Sequence, residues 1–151
     1  MKKILIATDG SASANQAVGV GVELAAEQDA QVTFIHVLPP DDYIVAGRLG
    51  PVLPKPHEVA MDETEVALRE AAEAAEAAGV VHAQERVSGD TVDEIVAAAD
   101  SMQADVIVIG SRGRGPISSA LLGSVSQGVL SESRRPVLIV STIHDREPVR
   151  T

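Results

Sequence analysis

The sequence predicts an α/β fold, a doubly wound parallel sheet with helices on both faces, and three observations carry that reading. Five short β-branched runs, Ile4–Ala7, Val32–Leu38, Val80–Val87, Val106–Ile109 and Val137–Val140, alternate with longer Ala-rich stretches. Three of the runs are almost continuously apolar, as strands covered on both faces should be. The segments between them are long enough to serve as crossovers, which parallel neighbours require and which are right-handed as a rule. At 151 residues the chain has room for one domain, since domains usually run to ~100–200 residues. We place that domain at residues 1–142, followed by a charged tail at 143–151.

Each helical segment has its own signals. From Ser11 to about Gln28, Ala14, Ala17, Gly21 and Leu24 form one stripe, with Val18, Val22 and Ala25 beside it. Gly19 and Gly21 inside that pattern cost roughly 1 kcal/mol each relative to Ala, which points to close backbone packing. About Glu58 to Ala78 is an Ala/Glu helix with Glu65 and Arg69 at i,i+4, closed by Gly79 at the C′ position. The next helix starts at Asp90 or Thr91, the latter in a capping box with Glu94, and aligns Val92, Ile95, Val96 and Ala99 on one face. A last helix covers roughly Ser118–Glu132. One connection is out of line: Pro39 to His57 holds five of the eight prolines and two glycines, far beyond the usual ~2–6-residue loop, and reads as a lid or a disordered segment.

Composition removes several classes of function. With aromatics at 1%, Phe34 and Tyr43 alone, base-stacking nucleic-acid platforms are excluded, and 12 Lys+Arg against 22 Asp+Glu, net −10, oppose binding along a phosphate backbone. With 22 acidic residues and only three Lys among the 12 basic ones, self-repulsion at low ionic strength is expected, as in a protein of a salt-rich cytoplasm. No cysteine means no disulfide, thiolate metal site or thiol nucleophile, and the cytosol is the expected compartment. The N-terminus imitates a secretion signal, but Thr8-Asp9-Gly10 ends the apolar run short of the ~7–15 residues such a signal needs. No stretch approaches the ~20 apolar residues of a membrane span.

The densest chemical signal follows the fourth predicted strand. There Gly110-Ser111-Arg112-Gly113-Arg114-Gly115-Pro116 leads through an apolar stretch to Gly123-Ser124-Val125-Ser126. Ligands of open α/β sheets bind at the carboxyl ends of strands, and glycines there let backbone amides approach a phosphate. Ser124 and Ser126 would add hydroxyls at a helix start, and Arg112 with Arg114 gives an acidic protein a local positive field. The first strand ends in Thr8-Asp9-Gly10-Ser11. Asp9 reads either as a ligand to ribose, adenine or metal, or as a cap or Asx-turn for the first helix.

Taken together, the spacing Gly110-x2-Gly113-x9-Gly123-Ser124, the start ILIATDGS and the end SRRPVLIV resemble the universal stress protein family over essentially the whole chain. The resemblance is to the branch that binds ATP. It implies five strands in the order 3-2-1-4-5 with ATP, together with Mg²⁺, across strands 1 and 4. It places Ala7, Thr8 and Asp9 near adenine and ribose, and Val37 or its neighbours against adenine through backbone. Phosphate and ribose contacts fall on Gly110, Arg112, Gly113, Gly123, Ser124, Val125 and Ser126. A homodimer through the last strand, Pro136–Val140, is also implied.

Other readings fit less well. A P-loop needs Gly-Lys-Ser/Thr, yet no Lys lies beyond Lys55. A Rossmann fingerprint would need glycine partners for Gly10, a receiver domain would need clustered carboxylates beside Asp9, and no Gly-x-Ser-x-Gly hydrolase elbow is present. His36, His57, His82 and His144 lack metal-ligand spacing and read as strand or loop residues. The expected function is a nucleotide-responsive regulatory or protective module with at most slow ATP hydrolysis. The alternative is an enzyme or electron-transfer protein holding FAD or CoA on the same sheet.

Overall fold

In the computed structural model, residues 1–38, 43–45, 52–54, 57–112 and 122–141 are described. The elements run β1 (Lys3–Ala7), α1 (Ala12–Gln28), β2 (Gln31–Leu38), β3 (Tyr43–Val45), β4 (Val52–Pro54), α2 (His57–Ala77), β5 (His82–Ser88), α3 (Thr91–Met102), β6 (Val106–Gly110), α4 (Ser124–Glu132) and β7 (Val137–Val140). Five strands form one parallel sheet in the order β5-β2-β1-β6-β7, which is 3-2-1-4-5 among those five. The expected fold class and order are both found.

Alternating side chains of the central strands feed two separate apolar layers, as the two-residue period of a strand dictates. Ile4, Ile6, Val32, Phe34, Val106 and Val108 pack with Val18 and Val22 of α1 and Leu68 and Ala71 of α2. Leu5, Ile35, Ile107 and Ile109 pack on the opposite face with Ile95 and Ala99 of α3 and Val129 of α4. The chain therefore leaves β1 through α1 on one face and reaches β6 through α3 on the other. That reversal between neighbours β1 and β6, paired from Ile4↔Val106 to Ile6↔Val108, opens a crevice at their carboxyl ends.

Helix ends follow local chemistry. Ser11 caps α1, its hydroxyl accepting from the Ala14 N–H. Asp90, not Thr91, caps α3 by accepting from the Asp93 N–H at 3.0 Å, so Thr91 is the first helical residue and the expected Thr91–Glu94 box does not form. A carboxylate at the N-cap also favours the positive helix end. At the end of α2, Gly79 has φ +70 and the Val80 N–H reaches back to the Ala75 carbonyl, a Schellman-type close. Val80 thus belongs to the helix exit, which is why β5 starts at His82 rather than at Val80. Helix α4 begins only at Ser124, with Gly123 as its N-cap; residues 118–121 of the expected longer helix lie outside the described residues. The long connection contains a hairpin that the sequence reading missed, Tyr43–Val45 antiparallel to Val52–Pro54. Its strands are three residues each and sit among prolines, which hid a short β-branched signal. The charged tail at 143–151 lies outside the described residues.

Of the two glycines inside α1, only Gly21 is a packing requirement. A Cβ on Gly21 would collide with the Ile6 side chain and touch Val108, whereas Gly19 is exposed with nothing within 4 Å. Gly19→Ala is expected to raise stability by about 0.5–1 kcal/mol through helix propensity alone; an unchanged denaturation midpoint would contradict this.

At the opposite end of the sheet, the Asp105 carboxylate accepts from the Lys2 and Lys3 N–H groups at 2.6 and 2.9 Å. The Lys2 amide first and the Lys3 amide second hold its pKa below the usual value of 3.8. Because the folded pKa is the lower one, this stabilisation is complete above pH 3.8 and disappears as pH falls through the folded value. Asp105→Ala should therefore melt below wild type at neutral pH, and the gap should close in acid. A gap independent of pH would show that the charge of Asp105 does not matter.

Candidate functional site

Three segments meet at the β1–β6 crevice. After β1, the Thr8 N–H donates to the Ile35 carbonyl at 3.0 Å, and the Thr8 hydroxyl accepts from the Gly10 N–H at 3.3 Å. Asp9 accepts from the Ser11 N–H at 2.9 Å through Oδ1, so it does form an Asx-turn ahead of α1. That turn uses one carboxylate oxygen, Oδ1, and does not involve the other. Ala7 and Thr8 are buried, Asp9 half-buried.

After β6, Gly110 ends the strand paired with Val140. A Cβ there would come within 2.8 Å of the Ser13 backbone C and O and within 2.5 Å of its Oγ. This glycine is required because the first turn of α1 lies directly against the end of β6. The contact is reinforced by the Arg112 N–H, which donates to Ser13 Oγ at 3.2 Å. Gly113 and Arg114 lie outside the described residues.

The start of α4 is tied to the same point. The Gly123 N–H donates to the Ser111 carbonyl at 2.7 Å, and the Ser111 N–H donates to Val140 at 2.9 Å. Ser126, 2% exposed, has its hydroxyl within reach of the Ser111 and Gly123 carbonyls at 3.1 and 2.9 Å. A single hydroxyl proton serves both, so Ser126 braces the helix start against the strand end. Ser124 is exposed and Val125 half-buried against the second apolar layer. Among the described residues no side chain caps α4, in contrast to α1 and α3, and its first turn carries no acidic residue, in contrast to α3. Its leading amides and its positive dipole end therefore retain their appetite for an acceptor. Nearby, the Ser111 hydroxyl is buried with no hydrogen-bond partner among the described residues, a condition that native proteins rarely leave unexplained.

The structure thus brings Ala7, Thr8 and Asp9 to one side of the crevice and Gly110, Arg112, Gly123, Ser124, Val125 and Ser126 to the other, with Val37 on β2 next to β1. Sequence reasoning missed Ser13, Ser111 and His36. His36 is buried and its Nδ1 lies 2.8 Å from the Thr8 carbonyl. No spacing rule links residues 28 positions apart; only the β1–β2 register does. Among the described residues, no His, Asp or Glu cluster suits a metal ion, and no helix is long and apolar enough to cross a membrane.

The sequence profile of the universal stress protein family matches residues 1–141. This chain belongs to the universal stress protein family. It is 36% identical over 140 residues to a universal stress protein of Thermus aquaticus, covering 92% of this chain and 98% of that one. A relative from Methanocaldococcus jannaschii is 34% identical over 139 residues, 92% of this chain and 81% of its own. Among solved structures, a universal stress protein in complex with cAMP is 30% identical with a TM-score of 0.70, covering 93% and 96% of the two chains. A universal stress protein from Archaeoglobus fulgidus in complex with dAMP, 24% identical with a TM-score of 0.69 over 93% and 98%, shares the fold. Nucleotides are thus bound by members with this architecture.

Proposed function

We propose that this protein binds ATP, with Mg²⁺, in the β1–β6 crevice, and acts in the cytoplasm as a nucleotide-responsive regulatory or protective module of the stress response. The observation that carries the reading is the uncapped start of α4, fastened through Gly123 and Ser126 to Ser111 at the end of β6. Leading amides held rigidly at a switch point are suited to phosphate oxygens. The orphaned Ser111 hydroxyl fits the same polar occupant. Gly110, Arg112, Gly113, Gly123, Ser124 and Val125 would hold phosphate and ribose, with Ser126 bracing them. Ala7, Thr8, Asp9 and Val37 would take the adenosine end, the second Asp9 oxygen serving ribose or Mg²⁺. The cAMP complex of the 30%-identical relative supports an adenine nucleotide as ligand.

Between Gly110 and Ser126 the chain has no Lys, His, Asp or Glu, which leaves Asp9 as the candidate to activate water among the described residues of the crevice, and hydrolysis is expected to be slow. Mass spectrometry of the ligand released by heat, together with calorimetric titration of ATP, AMP and cAMP, tests the proposal. A flavin or coenzyme A in the released fraction, or no binding of any adenine nucleotide, would overturn it.

A homodimer through β7 is proposed on the edge position of that strand and on its apolar exposure. Leu138 is 37% exposed, on an edge whose open backbone groups invite pairing. Sedimentation at micromolar concentration should show a dimer in low and high salt. A stable monomer in both would exclude this edge as an interface.

A further inference from the structure

Backbone direction along β2 identifies an interruption in the β1–β2 ladder. The Val32 N–H donates to the Val81 carbonyl and the Leu38 carbonyl accepts from the Gly89 N–H. The even-numbered residues of β2 therefore turn their backbone groups toward β5, and the odd-numbered ones toward β1. Ile35 obeys this pattern by accepting from the Thr8 N–H. The next regular step would bring the Val37 N–H onto the Thr8 carbonyl. It is not taken: the ladder stops at Ala7↔Ile35, and the Thr8 carbonyl instead accepts from His36 Nδ1 at 2.8 Å. A carbonyl can only accept, so Nδ1 carries the proton.

We propose that His36 is a positioning residue for nucleotide recognition: its bond holds the Thr8 carbonyl in the place where the β1–β2 ladder ends one step early, turned from the Val37 amide, which stays open at the crevice. The inference rests on the adenine-nucleotide reading above. A backbone N–H and C=O held at a fixed spacing read a purine edge that offers a ring-nitrogen acceptor beside an amino donor. Adenine has that pattern, whereas guanine presents the reverse, so an open Val37 backbone favours adenine. Without the imidazole, the Val37 N–H can close onto Thr8 and the preference is lost. Thr8 and Asp9 sit in the same turn, so the ring also fixes where the turn leaves the sheet.

The test compares ATP with GTP by calorimetry on wild type, His36→Leu and His36→Asn, with thermal melts of each. Asn places an amide nitrogen where His has Nδ1. Wild type is expected to prefer ATP by at least about tenfold, His36→Leu to narrow that ratio to within about threefold, and His36→Asn to retain it. A role confined to stability would lower the melting temperature of His36→Leu and leave the ATP/GTP ratio unchanged, which would overturn the proposal. A measurement on wild type stands independently of how the variants fold. The Val37 amide should exchange with deuterium faster than the Ile35 amide in the free protein, and slow on adding ATP. Equal protection of the two amides without nucleotide would overturn the proposal as well. If wild type binds no adenine nucleotide, the functional reading fails; if it binds ATP with the ratio intact in His36→Leu, only the role of His36 fails.

Discussion

Gly123→Val is expected to lose at least about 100-fold in ATP affinity while remaining folded. Gly123 has φ −63 and ψ 157, a conformation any residue adopts, so the backbone itself does not call for glycine here. Its N–H bond to Ser111 survives substitution, and valine at an N-cap with no side-chain cap costs only about 1 kcal/mol or less. What changes is the space in front of the leading α4 amides, where a branched Cβ would stand between donor and phosphate. The two serines should separate. Ser124 is exposed at the helix start, and Ser124→Ala removes one hydroxyl contact, about 1 kcal/mol and several-fold in affinity. Ser126→Ala removes the brace between α4 and the end of β6, and its effect belongs mainly in the unfolding midpoint. Calorimetry with Mg²⁺, beside denaturant unfolding of the same samples, checks all three. Wild-type affinity in Gly123→Val would move the site elsewhere.

Gly110→Val should be the most destabilising substitution at the site, by about 2–3 kcal/mol from overpacking. The obstruction is the backbone of Ser13, which cannot rotate away as a side chain could. Relief requires α1 to lift from β6, and that movement breaks the Arg112 N–H to Ser13 bond and loosens the turn that holds Asp9. Stability and ATP affinity are therefore expected to fall together, in contrast to Gly123→Val. Urea unfolding gives the first and calorimetry on the folded fraction the second; a midpoint within error of wild type would mean that the helix does not bear on the strand end.

What the sequence determined by itself is the periodic part of this protein. Continuous apolar runs and their Ala-rich crossovers specified a parallel sheet covered on both faces, because burial on two faces and a 3.6-residue stripe are properties of neighbouring residues. Gly79 announced its helix end for the same reason: a positive φ is a local demand. The glycine spacing from Gly110 to Gly123 marked the crevice, because glycines after a strand let backbone amides approach a ligand. The tertiary structure decided which of these residues touch. It showed that Gly110 exists for Ser13, that Gly21 is needed where Gly19 is not, and that Ser126 braces a helix start. It also assigned Asp9 to a turn through one oxygen and exposed the bond from His36 to Thr8. Apart from the Asp9 turn, those facts depend on contacts between residues 15 to 99 positions apart in the chain, set by strand register and by the face to which each crossover turns, and no local pattern records them.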